Sequence, residues 1–190
     1  LWAGTCLKAL CDCIEGICSP GHQPYSDALL TAAAEMIFQN LPVSVAEPLD
    51  LAARGRLQYA SWMAVGMLLI AGGGLAAGLR HQIGAMRNVP HGIASTIVIP
   101  HVMEFNRPVV AERLALIARA ARVDVAGRSA DEAAQGAIAA VRNLTRQMEL
   151  PTRLRDVGVQ REDFDVIADH VLHDFTARTN PRPVSSKEEI

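Results

Sequence analysis

Aromatic residues are scarce: two Trp, two Tyr and four Phe make up 4 % of the 190 positions. A β-sandwich core draws heavily on aromatic and β-branched side chains. A chain poor in aromatics and rich in alanine, with 50 % hydrophobic residues, instead suits close-packed helices. Charge of either sign is not in excess. The net charge of −2 implies neither nucleic acid nor an anionic membrane as partner. Cysteine appears four times, as Cys6, Cys11, Cys13 and Cys18, and nowhere after the first eighteen positions. No pair has the C-x-x-C spacing and no second cluster completes a tetrahedral set. This argues against a zinc knuckle or a disulfide framework and for buried free thiols in a reducing cytoplasm. A strand–GxGxxG–helix unit is also missing. The run Gly72-Gly73-Gly74 sits between apolar segments with no strand before it, which makes it a poor phosphate turn. The first residues, Leu1-Trp2-Ala3-Gly4, have neither a leading Met nor a basic stretch. They do not read as a signal peptide and look like the interior of a longer protein.

What is present centres on residues 78–92, Gly78-Leu79-Arg80-His81-Gln82-Ile83-Gly84-Ala85-Met86-Arg87-Asn88-Val89-Pro90-His91-Gly92. Leu79, Ile83 and Met86 share a helix face. Pro90 lacks an N–H and pushes Val89 out of the helical region, so a helix is expected to stop near Asn88. His81 then lies about two turns before the helix end. His91 sits on a Pro-His-Gly corner, where Gly92 leaves the backbone uncrowded. Two imidazoles on rigid elements can bind a metal or move protons. Equally, they can be hydrogen-bonded histidines at a helix–helix junction.

Elsewhere the pattern is helix after helix. Residues 3–17 read as a helix with Lys8 and Asp12 on one face. Ser26 or Asp27 caps a helix expected over 28–40, ended by Leu41-Pro42. Pro48 opens a longer one from Leu49 towards Ile70, with Asp50 in its first turn. Ala60 to Leu79 carries no charge over twenty residues, long enough for a membrane span. However, six of the twenty are Gly or Ser and five are Ala, and the triple glycine would break a span. Two buried helices meeting at a corner are the better reading. The run Ile93–Ile99 is rich in β-branched residues and by itself reads as a strand or a buried helix. Arg107-Pro108 starts another helix. Ser129 with Glu132 forms a capping box for a helix reaching Met148, and a last helix spans about 162–175. The sum is an all-α, multi-helix bundle-like domain over 1–190.

The wording of these segments resembles a known family. G-x-x-H-x-x-G-A…P-H-G…P-H-V-M-x-F-N is similar to the iron-containing (group III) alcohol dehydrogenases and maleylacetate reductases, within the dehydroquinate synthase-like superfamily. Lys8-Ala9-Leu10-Cys11-Asp12-Cys13-Ile14-Glu15-Gly16 resembles that family's D-x-x-x-H-x-I-E-G helix. Cys18-Ser19-Pro20…Gln23-Pro24…Asp27-Ala28-Leu29, Leu150-Pro151-Thr152…Gly158-Val159 and Asn180-Pro181-Arg182 agree as well. The resemblance spans about residues 4–186. It implies that Ile93–Ile99 is a buried helix. It also implies that 1–20 is a former metal-helix motif, 75–106 a histidine-containing core motif, and 180–190 a polar tail.

Family members pair an N-terminal α/β domain that binds NAD(P) with a C-terminal helical domain that supplies the metal site. This chain resembles only the second. The family's metal is held by an Asp and three His. By resemblance those positions fall on Lys8, Asp12, Ala77 and His91, and only His91 is retained as a ligand type. A divalent metal (Fe or Zn) is therefore not expected. His81 matches a histidine credited with a catalytic or proton-relay role. Two readings of Lys8 remain open. In one, its ammonium takes over part of the metal's work on a carbonyl oxygen, His81 or His91 donates the proton, and Asp12 orients one of them. In the other, Lys8–Asp12 is a plain i,i+4 ion pair. The implied activity is carbonyl/alcohol oxidoreduction on a small-molecule substrate with NAD(P), with a partner chain or homo-oligomer covering the open face. The alternative is a repurposed or non-catalytic helical module that binds a small acid or a partner protein, or one that performs non-redox proton transfer in the old cleft.

Overall fold

The computed structural model describes residues 1–190 and contains helices and turns without a strand. Seven α-helices follow in order: α1 Trp2–Cys18, α2 Pro24–Ala46, α3 Leu51–Ala71, α4 Leu75–Arg87, α5 His91–Ala120, α6 Ala130–Gln147 and α7 Phe164–His173. Short 3-10 turns at Leu154–Val157, Arg161–Asp163, Ala177–Thr179 and Lys187–Glu189 complete the chain.

The first helix is the axis of the fold. Almost every residue from Cys6 to Cys18 is buried, because α2, α3 and α5 surround it and the start of α4 abuts it. A helix apolar on all sides can only be a core helix. Cys6, Cys11, Cys13 and Cys18 are all free and buried, as expected. Burial raises each thiol, to about 11 for Cys6 and about 12 for Cys18. They are therefore held as unreactive thiols.

The expected corner at Gly72–Gly74 is present. Gly72, at φ +88, caps α3, and α4 leaves at 111° to it. The twenty uncharged residues are thus two bent helices, as read from composition. By length and composition alone, α2 is apolar enough to cross a membrane, yet it packs against α1 and α3 as a core helix. Helix α4 ends at Asn88 in the left-handed region (φ 53), where Pro90 required a stop. Ile93–Ile99 is helical, and its residues from Ala94 on are buried on every side. This explains why periodicity could not separate strand from helix there. The Ser129–Glu132 capping box forms in both directions.

Several boundaries differ from the sequence expectation. Pro42 does not end α2, which continues to Ala46. Its last turn is held by tertiary contact, since Ser44 is buried and accepts a hydrogen bond from the Trp2 indole at 3.0 Å. The same helix begins at Pro24, capped reciprocally by Gln23 and Ser26, and not at Ala28. Helix α3 begins at Leu51, with Asp50 as its N-cap accepting from the Ala53 N–H at 2.9 Å. Arg107-Pro108 does lie at the start of a second helical stretch: α5 is two helices meeting across a kink, with the non-helical residue at Val110 (φ −130, ψ 20), two positions past Pro108. The last helix starts two residues later and ends two earlier than expected, at 164 and 173.

The 180–190 tail is not simply polar and solvated. Asn180 is buried and accepts from the Leu75 N–H and from Asn106. It donates to Asn106 and to the Arg182 carbonyl. Val184 and Ile190 pack on the core. The tail thereby ties α4 to α5.

Candidate active site

Lys8 and Asp12 project from α1, one turn apart, towards the first turns of α4. Asp12 is 1 % exposed and its carboxylate bridges two cations. Oδ2 accepts from the Lys8 ammonium at 2.5 Å, and Oδ1 accepts from the Arg80 guanidinium at 3.0 Å. Lys8 is about one quarter exposed, whereas Arg80 is almost wholly covered. Glu15, one turn beyond Asp12, lies with Oε2 4.0 Å from Arg80. Its Oε1 accepts from the N–H groups of Ala76 and Ala77, at 2.8 and 3.2 Å. These are among the free donors at the start of α4, so Glu15 caps that helix from a distance and meets its positive end. Burial is the main influence on Glu15 and raises its carboxyl to about 7, although Arg80 and the two N–H groups pull the other way.

This arrangement closes the Gly-rich corner to a nucleotide phosphate. The Leu75 N–H is taken by Asn180, and those of Ala76 and Ala77 by Glu15. A Cβ on Gly74 would come within 2.8 Å of the Glu15 carboxylate. The anion site at this helix start is already filled by protein oxygens.

The two histidines do come together. The His81 and His91 ring centroids are 5.9 Å apart. His91 lies against Gly84, where a Cβ would stand 3.1 Å from its ring and the ring would have to give by a few tenths of an ångström. Gly92 serves a different purpose from the one expected. A Cβ there would meet the Gly4 carbonyl at 2.5 Å, so Gly92 permits the close crossing of α1 and α5. His81 Nδ1 is 3.0 Å from Asp174 Oδ2, and its ring stacks at 6.4 Å on Phe175. Asp174 is pushed up by burial but brought below the usual range by Thr176 and His81. The His91 imidazole is held below its ordinary value, first by burial, then by Arg80, His81 and Lys8. All four predicted residues, Lys8, Asp12, His81 and His91, therefore share one neighbourhood.

Two assignments change. Asp12 orients neither histidine, because both its oxygens are committed to Lys8 and Arg80; Asp174 is the carboxylate that holds His81. Arg80 itself was not singled out by sequence reasoning. The available signal was a lone cation directly following the twenty uncharged residues.

The donor set does not fit a divalent metal. A site of this kind needs three or more anionic or imidazole donors. Here the four positions that the resemblance assigns to metal ligands carry an ammonium, a carboxylate already bridging two cations, an alanine methyl and one imidazole. No group of three His, Cys, Asp or Glu side chains converges.

The class is an all-helical domain in which α1, α4 and α5 bring charged and imidazole groups into one neighbourhood. Residues 2–190 match the Fe-containing alcohol dehydrogenase family, C-terminal domain, and the chain belongs to that family. It is 38 % identical to lactaldehyde reductase of Escherichia coli K12, over the whole chain and 49 % of that protein. It superposes on the crystal structure of 1,3-propanediol oxidoreductase with a TM-score of 0.96 at 34 % identity, again over the whole chain and 49 % of that one. A maleylacetate reductase from Rhizobium shares the fold (TM-score 0.83, 23 % identity, 98 % of this chain and 49 % of that one). The chain thus spans about half the length of the curated relatives it matches.

Proposed function

We propose that the chain is the helical half of an NAD(P)-dependent oxidoreductase acting on a small carbonyl or alcohol substrate. In this reading the nucleotide half comes from a partner chain, a second copy or the rest of its own polypeptide. The observation that carries it is that Lys8, His81 and His91 are neighbours and partly exposed, in a chain aligned end to end with half of a reductase. The chemistry supplied from the nucleotide half is hydride exchange at the substrate carbon. The residues here do the rest. The Lys8 ammonium draws on the carbonyl oxygen and stabilises the developing alkoxide. His91, kept neutral by its surroundings, accepts a proton in the oxidative direction. His81, oriented by Asp174, relays it. Four reduced thiols suit a cytoplasmic setting.

A specific observation favours a covering partner. Leu51, Trp62 and Leu69 fall on one line of α3 and are 78, 74 and 85 % exposed, with Tyr59 and Val65 beside them. A line of exposed large apolar side chains on one helix is the kind of surface an interaction face presents. It is also compatible with a repurposed, non-catalytic module built on the same fold.

The discriminating experiment is a fluorescence titration of the purified chain with NADH and NADPH, repeated with a nucleotide-binding half supplied. Saturable binding in the second case, followed by reduction of small aldehydes or keto acids, supports the oxidoreductase reading. Absence of binding and turnover with every half tried would leave the non-catalytic module.

A further inference from the structure

The Lys8–Asp12–Arg80 cluster holds two cations on a single buried carboxylate. Arg80 is one helical turn from Ala77 on α4, hence on the same face as that former ligand position. Its guanidinium bonds to Asp12, which stands at a second former ligand position. Next to it is Glu15 Oε2, a buried oxygen with no hydrogen-bond partner, 4.0 Å away. By the resemblance, protein cations thus stand beside the positions that the family gives to metal ligands.

We propose that Arg80 and Lys8 together replace the metal with fixed charge. Arg80 is the buried positioning residue that anchors Asp12 and bars divalent metal, and Lys8 is the accessible cation, which receives the oxygen of a small carbonyl acid. The division of labour follows from geometry. Arg80 is enclosed and cannot reach a ligand. Lys8 is one quarter exposed, and Asp12 uses one oxygen for each cation. Around them stand His91 and His81, and the carboxylates present, Asp12, Glu15 and Asp174, face Lys8, Arg80 and His81. Lys8 is the one cation here that a carboxylate or a polarised carbonyl oxygen can reach. A divalent cation would have to displace both Lys8 and Arg80 before Asp12 could ligate it. The assignment of Lys8 to a carbonyl oxygen rests on the oxidoreductase reading; the exclusion of metal does not.

The chain offers an unusual handle, because Lys8 and Lys187 are its only lysines. With lysine labelled by 13C and 15N, NMR shows one signal from the site and one internal control. Titration with pyruvate, as a small carbonyl acid, is expected to move the Lys8 signal saturably and leave Lys187 in place. Arg80→Met is expected to weaken that response about tenfold, equivalent to about 1.4 kcal/mol, while Arg80→Lys retains most of it. In parallel, the native chain incubated with Zn2+, or with Fe2+ under anaerobic conditions, and then desalted should retain essentially no metal by mass spectrometry. The variant Lys8→Asp/Asp12→His/Ala77→His/Arg80→Met should retain it. Circular dichroism checks the folding of each variant. If Arg80→Met does not fold, the native chain and Arg80→Lys still decide the outcome. Stoichiometric metal in the native chain overturns the proposal. So does a Lys8 signal that ignores pyruvate, or a folded fourfold variant that stays empty. Failure to bind NAD(P)H or to turn over refutes the oxidoreductase reading and changes none of these readouts.

Discussion

Glu15→Gln is the most informative single substitution, because it removes one proton-binding group from the core while keeping the oxygen that caps α4. The Glu15 carboxyl is fully buried and raised from 4.5 to about 7, so between those values the folded chain holds a proton that the unfolded chain has lost. Stability rises with pH only where the unfolded state binds more protons. Here the native state does, so stability falls as pH climbs from about 4.5 to 7 and then levels. The difference between 4.5 and about 7, at 1.36 kcal/mol per pH unit, amounts to about 3 kcal/mol. His91 acts in the opposite direction. Its imidazole is held below 6.5, so it adds stability as pH rises through that region. His101, also held below its ordinary value by burial and Arg142, acts with His91, so the wild-type slope combines all three and the difference from the variant isolates Glu15. The substituted amide oxygen would still accept from Ala76 and Ala77. The amide would face Arg80 4.0 Å away, a penalty that does not vary with pH. Urea unfolding at a series of pH values from about 5 to 8.5 is expected to show the variant gaining on the wild type by about 2–3 kcal/mol across the range. Parallel curves for the two proteins would refute the assignment of a proton to Glu15 in the folded core.

Lys8→Met, in a two-domain context with a nucleotide half, is expected to abolish turnover without unfolding the protein, while lowering stability because Asp12 Oδ2 loses its partner; retained activity would remove Lys8 from the chemistry. Asn180→Ala strands the Leu75 N–H and both polar ends of Asn106 in the core, and should cost about 1–3 kcal/mol for each group left unsatisfied, read by urea unfolding. Gly92→Ala drives a methyl into the Gly4 carbonyl and is expected to destabilise by about 1–3 kcal/mol. Gly66→Ala, with open space around it in α3, should instead stabilise by about 0.5–1 kcal/mol, and equal effects at the two glycines would contradict the packing described. Ser129→Ala breaks the capping box of α6 and should lower stability by about 1 kcal/mol, without changing the helix content of the rest.

By itself the sequence determined the elements whose cause is local. The α6 cap is four residues that recognise one another, Ser129 to Glu132. The stop at Asn88 follows from Pro90, and the bend after α3 follows from three glycines. The all-helical class follows from composition, and the proximity of Lys8 to Asp12 from one turn of helix. The motif wording added the family and placed Ile93–Ile99 in a helix, which local periodicity had left open.

Tertiary structure decided everything whose partner lies far along the chain. Asp12 meets Arg80 68 positions away, and His81 meets Asp174 93 positions away. Nothing in the local pattern of either segment names its partner. Pro42 would end an isolated helix, but burial of Ser44 and the Trp2 hydrogen bond carry α2 past it. The tail is polar in composition, yet Asn180 is drawn inside by unsatisfied donors on α4 and α5. Local rules act over a helical turn, whereas a buried charge or an orphan N–H must find its counterpart wherever the packing brings one. The site's chemistry therefore belongs to the second kind of decision. The sequence supplied a lysine, three acids, an arginine and two histidines, and only the packing of α1 against α4 and the chain's last turns made them one cluster.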